Sequence, residues 1–188
     1  MARPRRILVE HGIYHVFSRG NRRQPIFLDE RDFARFLQFL DEVVARYGWV
    51  VHAYCLMPNH YHLLIETPEA NLSEGMHRLG FLYAQWFNWR HDVDGHLFQG
   101  RFGARLVESN YHLLETARYI DLNPVRAGLC RHPGDWPWSS YRATAGTARR
   151  PRWLTIDSLL AQFGLDRRRA HANYAAFVAD APARASPA

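Results

Sequence analysis

Between residues 13 and 122 the spacing of apolar side chains switches back and forth between a period of two and a period near 3.6. The order of those switches leaves few architectures open. Ile13 to Ser18 alternates and is rich in β-branched and aromatic residues, which predicts a strand. Asp29 can cap a helix over Glu30 to Tyr47, where Phe33, Phe36, Leu37, Leu40, Val43 and Val44 recur at helical spacing and Gly48 stops the run. Trp49 to Leu56 and His60 to Thr67 are two β-prone runs around Met57, Pro58 and Asn59, so an antiparallel hairpin is expected. Asn71 or Ser73 opens a second amphipathic helix carrying Met76, Leu79, Tyr83 and Trp86, which ends near Asp94 and Gly95. Phe98 to Val107 suits a further strand or two. Ser109 or Asn110 caps a third helix running to about Leu122, because Pro124 disfavours helical geometry at Asn123. The order strand, helix, two strands, helix, strand, helix predicts an α+β fold, an antiparallel sheet with helices packed on it.

The remainder reads as additions to that unit. Trp136 to Tyr141 is irregular and aromatic and is expected to pack back onto the sheet domain. After the basic residues Arg149, Arg150 and Arg152 come two short helical patterns, Ile156 to Phe163 and Asp166 to Val178, a C-terminal helical appendage. Residues 1–148 are thus expected to form the main domain, and 149–188 a basic linker, short helices and an Ala- and Pro-rich tail from Ala181 that frays.

Charge narrows the partners. The chain has 188 residues and a formal net charge of +6, and all of its basic residues are arginine. Met1 to Pro25 holds six of them (Arg3, Arg5, Arg6, Arg19, Arg22, Arg23) against the single acid Glu10. A cationic segment built of guanidinium forks points to a polyanion. Cys55 and Cys130 are too few for a disulfide framework or a four-thiolate zinc site. No apolar run approaches a membrane span and no signal-peptide core follows Met1, so a cytoplasmic, soluble protein is expected.

Side chains two apart on a strand point the same way, so His60 and His62 project from one face while Tyr61 faces the other. Two imidazoles aimed at one point, with no thiolate nearby, form an open metal site with positions left for phosphate oxygens, water and one more ligand. Satisfied structural histidines are the plainer alternative. On the third helix Leu113, Ala117 and Ile120 mark the apolar stripe, and Tyr119 lies off it with His112, Glu115, Thr116 and Asn123. Tyr119 is thus a candidate reagent, or else a surface tyrosine. Tyr111, in the first turn, is a competing nucleophile. Asn123 reads equally well as a helix cap or a ligand.

The blocks Met57 to Glu66 (MPNHYHLLIE), Phe98 to Phe102 (FQGRF), Tyr119 to Gly128 (YIDLNPVRAG) and Trp136 to Arg142 (WPWSSYR) resemble the single-tyrosine HUH transposases, most closely the REP-associated tyrosine transposases. The resemblance runs from about Ile13 to Ala143. It implies a ferredoxin-like HUH sandwich, His60 and His62 as metal ligands, Tyr119 as nucleophile and Asn123 at the place of a third ligand, where relatives usually carry Gln. It further implies Mg²⁺ or Mn²⁺ as cofactor. The implied activity is cleavage and strand transfer of single-stranded or hairpin DNA through a 5′-phosphotyrosine, with the early arginines on the DNA. Monomer and homodimer both stay open. The rival readings are a non-catalytic DNA- or RNA-binding protein derived from a transposase and, more distantly, a zinc hydrolase.

Overall fold

The computed structural model describes residues 8–181. Arg3, Arg5 and Arg6, together with the tail beyond Ala181, lie outside the described residues.

Four strands, β1 (Gly12–Arg19), β2 (Val50–Met57), β3 (His60–Thr67) and β4 (Gly103–Leu106), form one antiparallel sheet in the order β2-β3-β1-β4. The expected α+β class is what the chain adopts. On one face α1 (Glu30–Tyr47) and α2 (Leu72–His91) cover a core that includes Val16, Phe36, Leu40, Tyr61, Leu63, Leu79 and Tyr83, all essentially without solvent contact. Against the other face lies α3 (Asn110–Arg126), whose Leu113, Ala117 and Ile120 meet Ala53, Cys55, Met57 and Leu64. The sheet is therefore the middle layer of three, and anything on the α3 side of β1 and β3 faces that helix.

Local chemistry explains the boundaries. The Asp29 carboxylate accepts from the Arg31 and Asp32 amides, and Gly48 closes α1 in the left-handed conformation that glycine adopts without strain. Asn71 precedes α2, but its side chain is used elsewhere: it accepts from Trp49 Nε1 at 2.7 Å and donates to the Tyr47 carbonyl. A bulge at His52 shifts the register between β2 and β3, which puts Val51 and Tyr54 on the α1–α2 side and Ala53 and Cys55 on the α3 side.

Two elements differ from expectation. The last strand is only Gly103–Leu106, and most of the run before it is loop, tied to the end of β1 by a bridge from Gly20 to Phe98 and by Gln99 N–H donating to the Arg19 carbonyl at 2.9 Å. Helix α3 does not stop at Leu122 but continues through Pro124 to Arg126. Both Asn123 and Pro124 are buried, and this packing outweighs the propensity against a helical residue before proline.

Trp136 to Tyr141 packs onto the domain as expected, lying along the free edge of β2. Leu56 N–H donates to the Trp138 carbonyl, Ser140 N–H to the Tyr54 carbonyl, and Trp136 Nε1 to the Leu56 carbonyl. Beyond it come the short helices α4 (Tyr141–Thr144) and α5 (Asp157–Leu160) and then α6 (Arg167–Ala179). Leu154, Ile156, Leu160, Ala170, Tyr174 and Val178 from this region are buried in the same core as α1 and α2. The Tyr174 hydroxyl donates to Asp121 Oδ2 at 2.7 Å, so α6 is also fastened to α3.

Candidate active site

His60 and His62 stand on the α3 side of β3, with ring centroids 5.1 Å apart. Tyr119 comes from α3 and meets the His62 ring edge-on at 5.5 Å. All three line a cavity of about 440 Å³ whose other walls include Arg19, Gln99 and Arg101. Strand period and helix phase thus bring the candidate residues to one place. Tyr111 is elsewhere: it is 75% exposed and does not line the cavity.

A third histidine belongs to the group. His15 on β1 projects to the same side, and its Nε2 lies 2.9 Å from His62 Nδ1. It also meets the Tyr119 ring edge-on at 5.8 Å. Sequence reasoning missed it, although its place in an alternating strand gives its face once the pairing of β1 with β3 is known.

All three rings are held neutral. Burial pulls the His15 pKa down to about 4, and Arg105 and His112 add to the shift. His62, only 7% exposed, is pushed well below the usual histidine range by burial, then by His15, His60 and Arg19. Burial also lowers His60, with Arg19 acting in the same direction. Neutral imidazole is the form that binds metals.

The hydrogen bonds decide which nitrogens remain for a ligand. Asn59 Nδ2 donates to the Arg23 carbonyl, so Asn59 Oδ1 faces His60 Nδ1 at 2.7 Å and accepts the hydrogen bond that Nδ1–H donates. His60 Nε2 is left with a lone pair. Asn123 Nδ2 donates to the Tyr119 carbonyl at 2.9 Å, and the contact of the Asn123 side chain with His60 favours the charged ring, as an accepting amide oxygen does. The Asn123 side chain is thus a polar neighbour of His60 at the same site. When His62 donates through Nδ1 to His15, its Nε2 is likewise available. Among the described residues no three His, Cys, Asp or Glu side chains form a metal cluster, so the donor set on offer is two imidazoles and an amide oxygen. That set fits a hexacoordinate cation completed by water and phosphate oxygens rather than a closed structural zinc site.

Other neighbours of Tyr119 differ from the helical phase count. Thr116 is fully buried, its hydroxyl without a hydrogen-bond partner among the described residues, and Glu115 is engaged by Arg118 at 2.6 Å. The charge beside Tyr119 is instead Arg126, whose guanidinium carbon stands 5.1 Å from the ring centroid. Arg19, Arg22 and Arg23 are exposed at the exit of β1. Arg22 and Arg23 adopt positive φ angles of 52° and 63°, and the loop is held by the hydrogen bond from Asn59 to the Arg23 carbonyl. Arg19 pairs in register with His60 and reaches the cavity, placing the basic loop at the mouth of the site.

A family model described as transposase IS200-like matches residues 8–123, which is more than half of the chain and contains every residue of the cavity wall named above. The chain belongs to the IS200-like transposase family. This family member is also similar to a candidate REP-associated tyrosine transposase of Haemophilus influenzae, 25% identical over 160 residues that cover 75% of this chain and 86% of the relative. A solved REP-associated tyrosine transposase bound to a REP hairpin superposes with a TM-score of 0.67 at 19% identity, covering 84% of this chain and 93% of that one. That likeness establishes a shared fold.

Proposed function

We propose that this transposase-family protein cleaves and rejoins single-stranded DNA next to a hairpin, with Tyr119 as the nucleophile. The observation that carries the reading is the convergence of Tyr119, from α3, on the neutral pair His60 and His62 in one cavity edged by arginine. A similar fold has been solved with a REP hairpin bound, which supports hairpin DNA as the partner. The strongly basic loop at the mouth suits a phosphate backbone.

In this reading His60, His62 and Asn123 hold a divalent cation, Mg²⁺ or Mn²⁺, which when bound supplies Lewis-acid polarisation of the scissile phosphate. Tyr119 Oη attacks phosphorus. The new Oη–P bond forms as the P–O3′ bond breaks, the phenolic proton leaves to solvent, and the 3′ oxygen takes up a proton. One strand end is now a 5′-phosphotyrosine and the other a free 3′-hydroxyl, so attack by a 3′-hydroxyl reverses the step with no nucleotide cofactor. Arg126, over the Tyr119 ring, stands where its charge offsets the negative charge that builds on the reacting oxygens during attack. His15 orients His62, while Arg19, Arg22 and Arg23 bind DNA phosphates. Arg3, Arg5 and Arg6 are proposed to extend that contact.

The test is incubation with labelled hairpin DNA bearing unpaired flanks, with and without Mg²⁺ or Mn²⁺. A metal-dependent, denaturation-resistant protein–DNA adduct is expected. Tight hairpin binding with no adduct under any metal would favour a non-catalytic nucleic-acid binder instead.

A further inference from the structure

Helix α2 contains two glycines, and only one is explained by packing. At Gly75 a Cβ would collide with the Trp49 ring, so glycine is required there. At Gly80 a Cβ would meet nothing closer than Phe98, at 4.0 Å. A glycine inside a helix costs about 1 kcal/mol relative to alanine, and no neighbour in the described chain calls for it. The space above Gly80 is the floor of a groove of about 1000 Å³ between α2 and the loop before β4, at the upper end of the range for ligand clefts. Ala84 continues the low floor, while Phe81, 57% exposed, and Phe98 supply aromatic walls.

The groove joins the candidate active site. Ser18, Gln99, Gly100 and Arg101 line both. The two lie on different sides of the sheet: α2 and Tyr61 belong to the α1–α2 face, whereas Tyr119 comes from α3 on the other. Phosphoryl transfer places the attacking and leaving oxygens roughly in line. Attack from α3 therefore expels the 3′ oxygen away from α3, toward Ser18, residues 99–101 and the groove.

Resting on the strand-cleavage reading above, we infer that this groove holds the unpaired strand ending in the 3′-hydroxyl released by Tyr119. After attack the other end is tethered covalently, and the 3′ end is kept for rejoining only by noncovalent contacts. A groove with a low floor, aromatic walls and an arginine at its junction with the cleft has the features by which single strands are held without sequence readout. Gly80 then lets a base lie close to the α2 backbone, and Phe81 provides a stacking face.

The test uses the full chain carrying Tyr119→Phe, which removes cleavage from the readout. Gly80→Leu raises helix propensity while filling the floor, and Phe81→Ala removes the ring. Both should weaken binding of oligothymidylate by about ten-fold, the size of one lost base–aromatic stack, whereas a hairpin trimmed to its stem keeps its affinity. Unchanged oligothymidylate binding in both variants overturns the assignment. A loss that extends equally to the trimmed stem, in protein with an unaltered circular dichroism spectrum, also overturns it. In chains retaining Tyr119, the ratio of strand resealing to cleavage should fall with both substitutions, and a ratio equal to that of the unsubstituted protein counts against the groove. Absence of any adduct in the unsubstituted protein contradicts the cleavage reading alone, because the binding comparison does not depend on it.

Discussion

His15 Nε2 lies 2.9 Å from His62 Nδ1, joining two buried imidazoles that are 47 residues apart in the chain. Each ring fixes the orientation of the other, and only His62 and not His15 lines the cavity. If His62 holds a cation through its remaining nitrogen, His15 sets its tautomer. Loss of such an outer partner lowers metal affinity or activity by about 10–100-fold. His15→Ala should therefore weaken Mn²⁺ binding, followed by calorimetry, by that order while leaving hairpin affinity in the absence of metal unchanged. Equal Mn²⁺ affinity in the two proteins would remove His15 from the site.

The same pair makes stability depend on pH. The His15 pKa is about 4 in the folded protein against 6.5 for an ordinary histidine, and His62 is also well below the ordinary value. Between about 4 and 6.5 the unfolded chain binds more protons, so these groups make stability fall as pH drops through that window and contribute no change above it. Asp121 acts oppositely. Burial raises its pKa from 3.8 to about 7, so its share of stability falls as pH rises between those values. Melting temperatures of the wild type and His15→Phe across this range separate the two effects: the variant should lose less stability on acidification. Parallel curves would contradict the assignment.

Tyr174 and Asp121 tie α6 to α3, the helix of Tyr119, with Ser140 donating to the other Asp121 oxygen at 3.1 Å. Tyr174→Phe leaves a buried carboxyl short of one donor and should cost about 1–3 kcal/mol in urea unfolding. Tyr111→Phe, at an exposed position, should stay within about 0.5 kcal/mol of wild type. Similar values for the two would mean that the buried contact contributes nothing.

How much of this was legible in the sequence depended on range. The helix Glu30–Tyr47 is set by local signals at both ends, a capping aspartate and a left-handed glycine, and its observed limits are those expected. His60 and His62 share a face because strand period is local geometry. The nonlocal partners were hidden: His15 enters only through the pairing of β1 with β3, and Arg126 reaches Tyr119 only because α3 runs past Pro124. The burial of Leu154, Ile156 and Tyr174 in the main core likewise follows from tertiary contacts that no spacing in the tail encodes.

Arg126 stands over the Tyr119 ring, where its positive charge offsets the negative charge that builds on the reacting oxygens during attack. Arg126→Ala should slow single-turnover adduct formation by about ten-fold, the rate equivalent of roughly 1.4 kcal/mol. Arg126→Lys should recover part of that rate, and hairpin affinity should change less than the rate does. A variant that loses affinity and rate in equal measure would make Arg126 a DNA contact instead.

Peptide mapping of the trapped protein–DNA adduct tests the assignment of the nucleophile most directly. Tyr119 lines the cavity with both histidines, and Tyr111 is outside it. The nucleotide is expected on the peptide containing Tyr119, with the adduct absent from Tyr119→Phe and retained by Tyr111→Phe. A nucleotide on Tyr111, or undiminished adduct formation by Tyr119→Phe, would contradict it.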